Sequence, residues 1–231
     1  MKNWDVIGIN EFLRDNPEMS IKNLSNTCLV IAGNYSCIAY HEKGGDTDLN
    51  YNLQIEIPAE FPKAIPIVRE NSHLIPRDKK HHINRDYINK KDSLCLGSRI
   101  RILQTISKYP TVTGFVEKCV IPFLYSAKKG KFVFGELAHY YEGIVEDYED
   151  IFDVSGSQNV LMVLNCLSKK KRIANKLFCP CGCGKRLGKC TFHLKINENR
   201  HLASRFSFRQ EYDQIFQEIL LKQKAMHILY K

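Results

Sequence analysis

The sequence predicts an α+β chain, and three observations carry that prediction. Residues 51–57 read Tyr-Asn-Leu-Gln-Ile-Glu-Ile, the alternation of a half-buried strand. Segments 27–33 and 35–41 are rich in Val, Ile, Tyr and Cys, side chains that favour strands. Towards the other end, Phe208, Tyr212, Ile215, Phe216, Ile219 and Leu220 recur at three and four, as one buried face of a helix requires.

The elements follow in order. Residues 9–16 read as a short helix that stops before Pro17, and 27–33 and 35–41 as two strands across a tight connection. Gly44-Gly45-Asp46 marks a loop before the alternating strand, which Pro58 ends. The segment from Phe61-Pro62 to Pro66 is a proline-punctuated turn into a short strand around Ile67-Val68. An N-terminal helix and an antiparallel meander are therefore expected. From Pro76 to Gly97 the chain is polar and without period, and a structureless loop of about twenty residues in a compact domain is usually functional. Helices are expected over 112–127, 134–152, 158–167 and 208–229. No repeat or low-complexity linker interrupts them. The basic run Lys169-Lys170-Lys171-Arg172 is the clearest local boundary, and the division expected is a domain over 1–155 and a helical region over 156–231.

Composition narrows the class. With 44% hydrophobic and 26% charged residues the chain can bury a core. No apolar run reaches the ~18 residues of a membrane span. The first residues, Met1-Lys2-Asn3-Trp4-Asp5, lack the apolar stretch of a secretory signal, so a cytoplasmic protein without membrane partners is expected. Nine cysteines in a reducing compartment, four of them crowded between 179 and 190, argue against a disulfide framework. The net charge of +9 is local: Lys169 to Lys195 holds nine Lys or Arg and no acid, whereas Phe132 to Ser168 holds seven Asp or Glu and no Lys or Arg. Such a basic segment can meet nucleic acid, an acidic partner or the chain's own acidic stretch.

Residues 179–193, Cys-Pro-Cys-Gly-Cys-Gly-Lys-Arg-Leu-Gly-Lys-Cys-Thr-Phe-His, have the spacing of a zinc knuckle. Cys179, Cys181, Cys190 and His193 supply two close pairs around a short loop, and four Cys or His ligands make a structural zinc site. So short a segment builds no core, so the metal would supply its folding free energy. A redox dithiol or chance clustering are the alternatives. The stretch resembles the SEC-C motif of bacterial translocation motors, Cys-Pro-Cys-Gly-Ser-Gly-Lys-Lys followed by Cys paired with Cys or His. Cys183 stands where that motif has Ser and competes as a ligand, and His193 sits slightly later than the usual last ligand.

Cys95 is ambiguous from its neighbours alone. Between Leu94 and Leu96 a cysteine is more often core than nucleophile. Yet it ends the polar loop, where Lys90, Lys91, Arg99 and Arg101 would favour the thiolate. Upstream, His81, His82 and Asn84 offer hydrogen-bond donors, with a solvated loop as the plain alternative for the histidines.

The order of elements, the turn from Phe61-Pro62 to Pro66, His82-Ile83-Asn84 and Leu94-Cys95-Leu96 together resemble ubiquitin-conjugating enzymes, especially their divergent bacterial branch, over roughly residues 5–150. Ile83 replaces the usual proline, and ten residues separate Asn84 from Cys95, a few more than usual. The resemblance implies the ubiquitin-conjugating-enzyme-like fold, with an N-terminal helix, a four-stranded antiparallel meander and C-terminal helices. It also implies acyl transfer. Cys95 would carry the C-terminal glycine of a ubiquitin-like modifier, or of another protein, as a thioester received from an activating enzyme. An acceptor lysine amine would then attack it. Asn84, with Asn89 as a fallback, would serve the oxyanion and His82 would complete the motif, with zinc purely structural. Such enzymes often accompany anti-phage defence systems. Glu136 and His139, three apart in Gly135-Glu136-Leu-Ala-His139-Tyr140-Tyr141-Glu142-Gly143, are expected to face another helix, the activating partner or the active-site loop. A non-catalytic binding module of the same fold, docking a modifier or acidic partner, is the second reading. A zinc-containing nucleic-acid-binding protein is the third, and the two aromatics of the basic segment, Phe178 and Phe192, argue against it by offering no evident stacking platform.

Overall fold

The computed structural model describes residues 4–77, 81–86, 89, 91–130 and 140–229. They form two compact units, 1–137 and 138–231.

The first unit opens with a 3-10 turn at Asp5–Ile7 and helix α1 at Ile9–Asp15, which buries Ile9 and Phe12. Four strands follow, β1 (Met19–Leu24), β2 (Cys28–His41), β3 (Gly45–Pro58) and β4 (Ile67–Glu70). They pair in sequence order as an antiparallel meander. Strand β3 carries out its pattern: Leu49, Tyr51, Leu53, Ile55 and Ile57 all face the core, and the residues between them are at least partly exposed. Packed against that face in the same core are Val112, Phe115, Val116, Val120, Leu124 and Tyr125. Those residues lie on helix α3 (Val112–Phe115), a π-helical turn (Val116–Val120) and helix α4 (Ile121–Lys129), which together fill the helix expected over 112–127. The Tyr125 hydroxyl donates to the Gly45 carbonyl at 2.9 Å and so ties α4 to the β2–β3 turn.

Three details differ from the expectation. The strands expected at 27–33 and 35–41 are one fourteen-residue strand, β2. Gly33 is the reason, because a Cβ there would lie 2.0 Å from the Glu18 carbonyl oxygen. The glycine marks where the chain entering β1 presses on β2, not a turn. The remaining strand, β1, shows no alternation because five of its six residues are exposed at the sheet edge. Helix α2 (Arg99–Lys108) also forms, on Ile100, Ile102, Leu103 and Ile106.

The second unit is helical: α5 (Tyr140–Phe152), α6 (Ser157–Leu167), α7 (Lys171–Ala174), α8 (Phe192–Asn199) and α9 (Arg205–Leu229). The boundary expected after residue 155 falls instead between 137 and 138, so acidic α5 packs with the second unit. Its apolar side explains this. Tyr148 and Phe152 are fully buried, the Tyr148 hydroxyl donates to Glu211 on α9 at 3.0 Å, and Lys195 on α8 donates to the Phe152 carbonyl at 3.1 Å. Helix α6 is the hub, burying Val160, Leu161, Val163, Leu164, Cys166 and Leu167 against its neighbours. Among the described side chains of α9 the buried positions are Phe208, Glu211 and Ile215, while Phe216 is exposed. Among the described residues, no helix is long and apolar enough to cross a membrane.

Candidate functional site

Two cysteine-bearing sites stand out, one in each unit. In the first unit the polar loop is held at both ends by β4. Arg77, at its start, pairs with the buried Glu70 carboxylate at 3.2 Å and also contacts the Glu70 carbonyl. Arg69 pairs with Glu56 at 2.6 Å and donates from Nε to the Lys91 carbonyl at 3.3 Å, near the loop's end. Inside the loop Asp92 accepts from the Asp86 backbone N–H at 2.9 Å and pairs with Arg85 at 3.1 Å. The predicted irregular stretch is therefore fastened by charge-assisted hydrogen bonds, roughly twice as strong as neutral ones.

This anchoring sets up a two-stranded ladder, β5 (Ile83–Asn84) with β6 (Ser93–Leu94), in which Ile83 faces Leu94 and Asn84 faces Ser93. The Cys95 N–H continues it, donating to the His82 carbonyl at 2.8 Å. Ile83 and Leu94 are buried, whereas Asn84 is exposed and Ser93 and Cys95 are half-buried. The period-two pleat thus turns Asn84, Ser93 and Cys95 to the solvent side and the two aliphatics to the core. His82 is 7% exposed and holds φ 50°, a left-handed conformation for a residue with a Cβ. Such backbone conformations concentrate at functional sites.

Among the described residues, the basic neighbours expected to favour the Cys95 thiolate do not govern it. Burial pushes the thiol up, and a hydrogen bond from the Gly97 backbone offsets part of that rise. Arg99 and Arg101 lie in the first turn of α2, where the Ser98 hydroxyl caps the Arg101 N–H at 3.5 Å; Lys90 lies outside the described residues. The fallback Asn89 is engaged with Asp86, accepting no role in the ladder: its N–H and side-chain amide reach the Asp86 carboxylate at 2.9 and 3.1 Å. Glu136 and His139 also lie outside the described residues.

In the second unit the cysteine-rich stretch is a small hairpin. The Cys179 N–H donates to the Lys185 carbonyl at 2.9 Å, the Leu187 N–H to the Leu177 carbonyl at 2.8 Å, and Phe178 bridges Arg186. Gly182 and Gly184 turn it with φ 77° and 72°, left-handed values that suit residues lacking a Cβ. Leu187, fully buried, roots the hairpin in the unit. These turns bring the thiols of Cys179, Cys181, Cys183 and Cys190 within 4.8 Å of one another, a group that could hold a metal ion.

The donor chemistry fits. Tetrahedral bonds of about 2.3 Å set zinc-bound sulfurs about 3.8 Å apart. Here Cys181 lies 3.7 Å from Cys190 and 3.1 Å from Cys179. Burial pushes Cys179 and Cys181 up, whereas the Phe192 backbone N–H brings Cys190 down to about 7. Three of the four ligands expected from sequence are thus together, with Cys183 as the fourth member of the group. His193 is not in it; its Nδ1 lies 2.6 Å from the Cys190 carbonyl oxygen. A two-residue step from Cys181 across Gly182 was the signal for Cys183, the same step that links Cys179 to Cys181.

Comparison of the chain with protein-family models, with curated proteins and with solved structures gives no match.

Proposed function

We propose that the first unit is a ubiquitin-conjugating-like acyltransferase acting through Cys95, and that the second carries one structural zinc. The observation that carries the reading is the β5–β6 ladder: a half-buried thiol, an exposed asparagine and a strained histidine in one anchored loop. Its position after an N-terminal helix and a four-stranded antiparallel meander agrees with that class. The Cys95 sulfur would attack the thioester of a modifier's C-terminal glycine held on an activating enzyme's thiol. A new thioester forms, the enzyme's thiolate leaves, and the Cys95 proton goes to solvent. An acceptor lysine amine then attacks, Cys95 departs as thiolate, the amine's proton goes to solvent, and an amide results. Asn84 is suited to donate to the oxyanion, with the Ser93 hydroxyl beside it. His82 acts by holding the Cys95 backbone, through its carbonyl. A cytoplasmic setting keeps these thiols reduced.

Four thiolates with no open position make a closed zinc site, which folds a segment and leaves the chemistry elsewhere. The raised Cys95 thiol favours a second reading, a binding module with an idle cysteine.

A non-reducing gel separates the two. The protein is incubated with ATP and with candidate activating enzymes and modifiers encoded beside it. The enzyme reading expects a thiol-sensitive adduct that Cys95→Ala abolishes and Cys95→Ser turns into a thiol-resistant ester. Because burial raises this thiol, its protonated form dominates at neutral pH, and adduct formation should accelerate from pH 7 to 9. An adduct that survives Cys95→Ala would sink the assignment, and saturable modifier binding without any adduct would favour the module.

A further inference from the structure

The two halves of the basic segment pack directly on each other. The Lys176 and Leu177 N–H groups donate back to Ile173 and Ala174 on α7, and the Gly188 N–H donates to the Asn175 carbonyl at 3.1 Å. A Cβ on Gly188 would lie 2.9 Å from that of Asn175, so the two stretches are in direct contact. Lys170, Lys171 and Arg172 at α7, Lys176 in the turn, and Arg186 and Lys189 on the hairpin are all exposed. Among the described residues none of these six side chains enters an ion pair or a hydrogen bond. Acidic α5 in the same unit does not neutralise them, and its Glu142 pairs instead with Lys222.

The same hairpin displays a bare aromatic ring. Phe178 is 69% exposed, beside its bridge partner Arg186. Burying a Phe ring stabilises a fold, and this position forgoes that gain. Phe192, the other aromatic of the segment, leans on Phe152 at 6.5 Å and is structural. The sequence offered two aromatics with no sign of a platform; the fold sets one of them free.

The geometry points to a single-stranded nucleic acid as the ligand of this face, its phosphates met by the six cations and an unpaired base stacked on Phe178. A surface of one sign suits a polyanion. An acidic peptide would use the cations but has no need of the ring, and a duplex keeps its bases stacked internally. Zinc knuckles and open aromatic platforms both read unpaired bases, whose faces stack whatever their identity.

Fluorescence anisotropy of the zinc-loaded full chain tests this, with labelled oligo-U and oligo-dT strands, a mixed-sequence duplex and a poly-glutamate peptide. Both single strands are expected to bind more tightly than the duplex or the peptide, and preference for RNA over DNA would assign a contact to the 2′-hydroxyl. Phe178→Ala should weaken single-strand binding roughly tenfold with zinc content and melting unchanged, and Phe178→Trp should restore it. Replacing Lys170, Lys171 and Arg172 by Gln should flatten the slope of log K against log salt by about 2. The proposal is overturned if neither strand binds saturably at low salt, if Phe178→Ala binds as well as the parent, or if poly-glutamate binds as tightly as oligo-U.

Discussion

Cys183 decides what kind of metal the cysteine group of the second unit could hold. Its thiol completes a sulfur-only group with Cys179, Cys181 and Cys190, while Nδ1 of His193 lies against the Cys190 carbonyl. X-ray absorption of the purified protein should therefore show about one zinc with four sulfur neighbours. Cys183→Ser should lower zinc retention against a chelator at least tenfold, and His193→Ala should leave it within a few-fold. A spectrum with three sulfurs and one nitrogen, unchanged by Cys183→Ser, would return the ligand role to His193. The spacing of the cysteines was legible in the chain. The choice between Cys183 and His193 was not, because both lie within reach of Cys190 in sequence, and only the hairpin geometry orients them. The burial of Cys95 was equally hidden: basic neighbours are visible in the sequence, whereas desolvation depends on what Leu94 and Ile83 pack against.

Helix α6 carries the second unit, and its C-terminal end depends on one side chain from α8's end. Arg200 Nη1 and Nη2 donate to the carbonyls of Lys169 and Cys166 at 2.6 and 2.8 Å, with Leu167 at 3.4 Å. A helix leaves its last carbonyls without partners, and a guanidinium here satisfies them while opposing the negative end of the helix dipole. Hydrogen bonds to a charged group are worth about 1.5–3 kcal/mol each, less for partly exposed ones. Arg200→Ala should accordingly cost the unit about 2–3 kcal/mol in urea denaturation, and Arg200→Lys, which cannot fork, should recover less than half. An Arg200→Ala protein of parental stability would dismiss the clamp. No local pattern announced it, since the arginine caps a helix that ends over thirty positions earlier. Among the strands the converse held for β3, whose alternation alone specified its buried face. The edge strand β1 was missed because a strand with one neighbour needs little apolar sequence.

At the scale of the whole molecule the two units have separate cores, and the knuckle belongs to the second. A fragment over 138–231 should fold alone with bound zinc and melt cooperatively by circular dichroism. In the full chain a chelator should lower the melting of the helical unit while the tryptophan signal of Trp4, buried in the first core, stays near its parental midpoint. A Trp4 transition that moves with zinc removal would show that the units unfold together.

By itself the sequence determined the α+β class, the meander's central alternation, the polar loop ending at Cys95 and the clustering of cysteines, because each is written in local period or spacing. Only the tertiary structure decided that β2 is one strand, that α5 joins the helical unit, that Cys183 lies with the other thiols, and that Phe178 is bare. Those outcomes depend on which surfaces meet. Pairing at Gly33, burial of Tyr148 and Phe152, and the turns at Gly182 and Gly184 bring together residues that no local pattern relates.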